Sequence, residues 1–140
     1  MESTLIKPVT WEKVLITASS PRNYPVVIES FKDKEGHETY NRVRIAKRIL
    51  ESMDDCEKHR YNLERASNKL FRLTRDDRTG LIRIAPRCMH NGVPSAYMLS
   101  GVQDGPAAKD IAATLHALAQ TDKFNAEYDG TNIVLIAMNA

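Results

Sequence analysis

The chain has 140 residues, 42% of them hydrophobic and 27% charged, with a net charge of +2. That is the size of one ordinary domain, or of one small domain with an extension, and its apolar content suffices for a core, which excludes disorder throughout. The longest unbroken apolar run, 133–138, is far too short to cross a bilayer as a helix. The start, Met1-Glu2-Ser3-Thr4, lacks the basic and apolar profile of a secretion signal. Cys56 and Cys88 have no CxxC spacing, so reduced thiols in a cytoplasmic protein are expected.

Charge is unevenly distributed. Residues 42–87 hold 13 Lys/Arg against 7 Asp/Glu, an excess of +6, while the rest of the chain holds 7 against 11, or −4. A basic middle between acidic flanks is the asymmetry of a polyanion-binding surface, although a solvated helical face has the same composition.

In chain order, residues 1–36 read as an N-terminal extension packed on the core. Thr10 is placed to cap a short helix to Ser19 with Trp11, Val14 and Leu15 inward; 14–17 reads alternatively as a strand, and Pro21 ends either. Residues 25–29 (PVVIE) are β-branched and strand-like, and 33–36 form a polar turn. A helix is expected over 42–53, with Ala46, Ile49, Leu50 and Met53 as its apolar stripe, extended by Val43 and Ile45. Asp54-Asp55 interrupts it, and 56–61 can supply a short middle helix.

Over 63–75, Leu63, Ala66, Leu70 and Leu73 recur at three and four residues, which predicts a helix with Arg65, Asn68, Lys69, Arg72 and Arg75 on the other face. Gly80 breaks this pattern. Leu81, Ile82 and Ile84 form a β-prone run, His90-Asn91-Gly92 a turn signal, and 96–99 a returning strand. A competing parse pairs 71–74 with 81–85 across Asp77-Arg78-Thr79-Gly80. The stripe through Leu70 and Leu73 favours the longer helix.

Residues 101–105 read as a linker, with Pro106 as the first residue of a helix. In the following helix, to 119, Ala108, Ile111, Ala112, Leu115 and Leu118 share a face. Phe124, Ala126 and Tyr128 alternate before the hairpin signal Asp129-Gly130, and 133–138 returns as a strand apolar on both faces.

The pieces LFRL, GLIRI and NGVPSAYML resemble the second half of a winged helix-turn-helix DNA-binding domain. The resemblance implies an α+β fold: a winged-helix-like centre of three helices and a hairpin over 37–100, with an additional C-terminal helix–hairpin unit over 101–140 that dimerises or completes the core. It also implies that helix 63–75 enters the major groove while a basic wing, 81–99, lies against neighbouring backbone. Asp76-Asp77, at the end of that helix, departs from the pattern because acids facing phosphate would repel it.

No nucleophile motif, nucleotide-binding glycine loop or metal-ligand spacing is present, so no enzyme activity, cofactor or metal is expected. His37, His59, His90 and His116 stand far apart and read as loop or surface residues. Arg65, Asn68 and Arg72 are spaced to read base edges, with Lys69 and Arg75 on the same helix. Arg83, Arg87, His90 and Asn91 are assigned to phosphates from the wing. The expected function is a double-stranded DNA-binding transcriptional regulator, a homodimer through 107–138. The alternative is a non-enzymatic adaptor or inhibitor that binds a protein through the same fold.

Overall fold

This computed structural model describes residues 24–138, and in it side chains that alternate with a period of two build strands where helices were expected. Eight strands form: β1 (Val26–Lys32), β2 (Glu38–Ala46), β3 (Tyr61–Arg65), β4 (Leu70–Arg75), β5 (Ile82–His90), β6 (Val93–Gly101), β7 (Lys123–Tyr128) and β8 (Ile133–Ala137). A single helical turn, α1 (Lys47–Leu50), follows β2, a 3-10 turn spans Cys56–Lys58, and α2 (Ala108–Ala119) lies between β6 and β7. The strands close into an antiparallel barrel in the order β1-β2-β6-β5-β3-β4-β8-β7. The ring shuts where Val26 and Val27 of β1 pair with Phe124 and Lys123 of β7.

Inward positions fill the barrel. Val26, Ile28, Val43, Ile45, Tyr61 and Phe71 are each no more than 1% exposed and belong to one cluster with Leu73, Ile84, Leu99, Phe124 and Leu135. Phe71 and Phe124 meet edge to face, with ring centroids 6.3 Å apart. Eight strands enclose just enough width for side chains to fill, and here they do. Helix α2 buries Ile111, Ala112 and Leu115 in the same cluster and packs chiefly on β2, where Tyr40 and the His116 Nδ1 share a 2.8 Å hydrogen bond.

The winged helix is not formed. Residues 63–75 are β3, a turn and β4, so Leu63 and Leu73 are cross-strand partners rather than neighbours on a helix. Within the turn, the Ser67 Oγ accepts from the Leu70 N–H at 3.1 Å, and the Ala66 N–H donates to the Leu70 carbonyl at 2.8 Å. Phe71, which stands off the helical stripe, is fully buried. Leu70 instead faces outward, away from the core that holds Ile82. Residues 42–46 likewise belong to β2, with Val43 and Ile45 inward and Arg42 and Arg44 outward, and only Lys47–Leu50 are helical. The middle helix is reduced to the 3-10 turn. The competing parse also fails in its pairing, because β4 lies between β3 and β8 and does not neighbour β5. The fold is therefore a mostly-β barrel, not a three-helix α+β domain.

Two hairpins lie where expected, and so does the helix, except that it begins at Ala108 with Ala107 as its N-cap and not at Pro106. The β5–β6 turn has Asn91 at φ 52° and Gly92 at φ 80°, the two positive values of a type I′ turn. At the β7–β8 turn, Oδ1 of Asp129 accepts from Thr131 N–H at 2.9 Å and Asn132 N–H at 2.8 Å. Gly101 is required by packing: a Cβ there would stand 2.0 Å from the Pro106 carbonyl oxygen. The short helix or strand expected between Thr10 and Ser19 lies outside the described residues. No helix among the described residues is long and apolar enough to cross a membrane.

Candidate functional site

Because the lumen is filled, binding chemistry has to be sought on the outside. On β2, β6 and β5 the pleat turns Arg42 and Arg44, then Ala96, Met98 and Ser100, then Arg83, Ala85 and Arg87 outward. Register ties them together: Arg44 pairs with Met98, Met98 with Ala85, Ser100 with Arg83, and Ala96 with Arg87. The uncharged Ala96, Met98 and Ser100 of β6 thus separate arginines on the two flanking strands. Glu29, on β1, stands opposite Arg42 and ion-pairs with Arg42, with Arg44 at 3.1 Å and with Arg87 at 3.5 Å.

One carboxylate among three guanidinium groups leaves the cluster cationic. The three strands that build this face contain Arg42, Arg44, Arg83 and Arg87 and one acid, Glu38 at the start of β2. Partial burial of Arg42, Arg44 and Arg87 weakens solvent screening of their charge, and Arg83 is exposed.

The hairpin that carries Arg83 and Arg87 projects beyond the wall. It pairs with itself from Ile82–Gly101 to His90–Val93, but β5 meets β3 only at Ile82–Tyr61, and β6 meets β2 only over 96–98. The distal half is a two-stranded ribbon with a preorganised turn. Met89 and Val93, near its tip, are 53% and 52% exposed.

Of the nine residues expected to bind DNA, Arg83, Arg87, His90 and Asn91 share this hairpin. Arg65, Asn68, Lys69, Arg72 and Arg75 lie on the β3–β4 hairpin, whose turn is at the opposite end of the barrel because β3 and β5 run antiparallel. They form no base-reading row. Arg65 donates to the Asn68 side chain at 2.8 Å, Arg72 stands 3.8 Å from Glu64, and Arg75 is bound to Asp77 at 3.1 Å. Lys69 is exposed on the turn.

Asp76 and Asp77, the pair that broke the family pattern, are structural acceptors. Asp76 takes the N–H of Arg78 and of Thr79, both at 3.0 Å, and the Thr79 hydroxyl at 2.8 Å. Those bonds, led by the Thr79 N–H, hold its carboxyl below the usual range. Asp77 accepts the Arg60 N–H at 3.0 Å and is lowered chiefly by that bond.

An open cleft of about 370 Å³ lies at the α1 end of the barrel, lined by Lys47, Leu50, Met53, Asp55, Cys56 and Tyr97 among others. Burial pushes the Cys56 thiol and the Tyr97 hydroxyl up, so neither is an activated nucleophile. Asp33, Glu35 and His37 lie close together on the exposed β1–β2 turn, where Oδ1 of Asp33 accepts the Glu35 and His37 N–H groups at 2.9 and 2.8 Å. That geometry accounts for the acid as a turn former.

The sequence reading missed Glu29, Arg42 and Arg44 as members of a site. The signal was the strict alternation Arg42-Val43-Arg44-Ile45, which as a strand places both arginines on one outer face. Comparison with known proteins adds no relative: no family description, no curated protein and no solved structure matches this chain.

Proposed function

We propose that this is a non-enzymatic binding protein whose outer β2–β6–β5 face holds the phosphate backbone of double-stranded nucleic acid. The observation that carries the reading is the gathering of Arg42, Arg44, Arg83 and Arg87 on one side of three adjoining strands, answered by the single carboxylate Glu29. Guanidinium groups pair with phosphate in a fixed fork, and releasing the counterions that phosphate had condensed supplies the affinity. The β5–β6 ribbon, with His90 and Asn91 at its tip, is the arm that follows the backbone beyond the wall. Base reading from a helix has no part in this proposal, and the regulator expected from the winged helix goes with that helix. A cytoplasmic setting belongs to the same proposal, since it keeps Cys56 and Cys88 reduced.

The experiment is a binding titration on random duplex at several salt concentrations. A steep fall in affinity with salt supports the reading, and salt-independent or absent binding overturns it.

The exposed Met89 and Val93 favour a second reading, in which the ribbon tip docks on a protein. Methionine and arginine are enriched at such interfaces, and a type I′ turn costs little ordering on binding. Salt-insensitive capture of a protein partner, lost in Met89→Asp, is the outcome that selects it.

A further inference from the structure

The cleft at the α1 end of the barrel combines apolar surface with unanswered polar groups. Leu50, Cys56 and Tyr97 line it as members of the core cluster, and Met53 packs half-buried against that cluster. Its carboxylates are Glu51, Asp55 and Glu57, all exposed, against the single lysine Lys47. Asp55 stands 3.8 Å from Lys58. Glu51 and Glu57 have no ion-pair partner among the described residues. Tyr97 adds an independent observation. It is only 9% exposed, it lines the cleft, and its hydroxyl has no hydrogen-bond partner among the described residues. Buried polar groups are bonded in the great majority of cases, so this hydroxyl is short of a partner. Burial raises its pKa, and the Cys56 thiol and Glu57 carboxylate add to the effect, so both lie within electrostatic reach of it. The hydroxyl is therefore neutral and has lone pairs to offer.

We infer that this cleft binds a small organic cation, a protonated primary amine on an apolar stem. The stem covers Leu50, Met53 and the Tyr97 ring. The ammonium donates to the Tyr97 hydroxyl and to Glu57, and Glu51 adds to the negative field around it. An ammonium has three donors and no acceptor, which suits a set made of carboxylates and a lone-pair donor. An anion would meet three carboxylates, and a purely apolar molecule would leave the Tyr97 hydroxyl unbonded. The volume, about 370 Å³, lies within the roughly 300–1,000 Å³ of small-molecule sites. The site is separate from the arginine face, because Tyr97 turns inward between the outward Ala96 and Met98, and it does not require that face to bind nucleic acid.

The test is a titration of the full chain, without nucleic acid, with 2-phenylethylamine, 2-phenylethanol and phenylacetate, followed by ligand-observed NMR. The amine is expected to bind saturably, the alcohol to bind more weakly by about tenfold, and the acid not to bind. Tyr97→Phe keeps the ring and should weaken the amine about tenfold, the effect of one hydrogen bond to a charged group. Glu57→Gln changes an exposed side chain and should weaken it by up to about fivefold, with a smaller dependence on salt. Arg83→Ala, on the outer face, should leave amine binding unchanged. Tighter binding of Nα-acetyl-lysine amide than of 2-phenylethylamine, lost in the same two variants, upholds the ammonium chemistry and assigns its source to a protein side chain. Absence of saturable amine binding overturns the inference. So does equal binding of the alcohol, or amine binding that is the same in folded Tyr97→Phe and Glu57→Gln as in the parent.

Discussion

The carboxylate of Glu29 lies 3.5 Å from the guanidinium of Arg87, although two strands, β2 and β6, separate β1 from β5. A contact across that span requires a strongly curved sheet and long side chains lying flat on it. It also places an anion where a phosphate would otherwise sit. Glu29→Gln is therefore expected to tighten binding of duplex by up to about fivefold at low salt, the equivalent of ~1 kcal/mol for one partly screened ion pair. Fluorescence anisotropy on a labelled duplex measures it; weaker binding by a folded variant would mean that Glu29 orients the arginines rather than competing for them.

Arg83 and Arg87 should act alike on every sequence. Replacing either by Ala is expected to flatten the slope of log affinity against log salt by about one unit. Arg65→Ala and Asn68→Ala, on the far hairpin, should leave the slope unchanged. Equal effects from both pairs would show that the duplex does not select the β5–β6 side.

Much of the fold was legible as strands and turns, and the error lay in the period chosen. Asn91-Gly92 and Asp129-Gly130 announced their hairpins because positive φ is restricted to a few residue types, so the signal is local. The helix over 108–119 was legible for the same reason, alanine and leucine being strong local formers. Leu63, Ala66, Leu70 and Leu73 fit a helix equally well on local evidence. What decides against it is the pairing of Leu73 with Ile133 and of Phe71 with Leu135, strands separated by half the chain. The site was half legible: Arg83 and Arg87 were placed on a hairpin, but their neighbours Arg42 and Arg44 were assigned to a helix that is a strand.

Phe71 tests the barrel against the helix directly. It is fully buried and packs edge-on against Phe124. Phe71→Ala should cost about 3–5 kcal/mol, read from the urea midpoint, as expected for an aromatic removed from a tight core. A loss below ~1 kcal/mol would be that of an exposed helix position.

Stability should fall on the acid side through the turn around Asp76. Its folded pKa lies below the ordinary 3.8, so the ionised form is favoured by folding. That contribution is present above the unfolded value and is lost as pH drops through the folded one. Asp76→Asn should lower the melting temperature near neutral pH and make the curve flatter than the parent's below about pH 4. Parallel curves would exclude the carboxylate as the titrating group.

Cys56 should be unreactive in the native protein. Burial raises its pKa, with the Glu57 carboxylate adding to the effect, so little thiolate exists near neutrality. In a Cys88→Ser background, iodoacetamide labelling is expected to be slow, and to become fast in denaturant. Rapid native labelling would mean that the cleft exposes the sulfur.

The closure of the ring has a kinetic consequence. Val26 meets Phe124, and Leu73 meets Ile133, so the first and fourth strands wait for the last two. During synthesis the edges of β1 and β4 remain unpaired until β7 and β8 have left the ribosome, and such edges recruit other strands. Pairings this distant in sequence are slow to form. The nascent chain therefore completes its ring only after most of it has been made, and the interval before closure is when it most needs a chaperone.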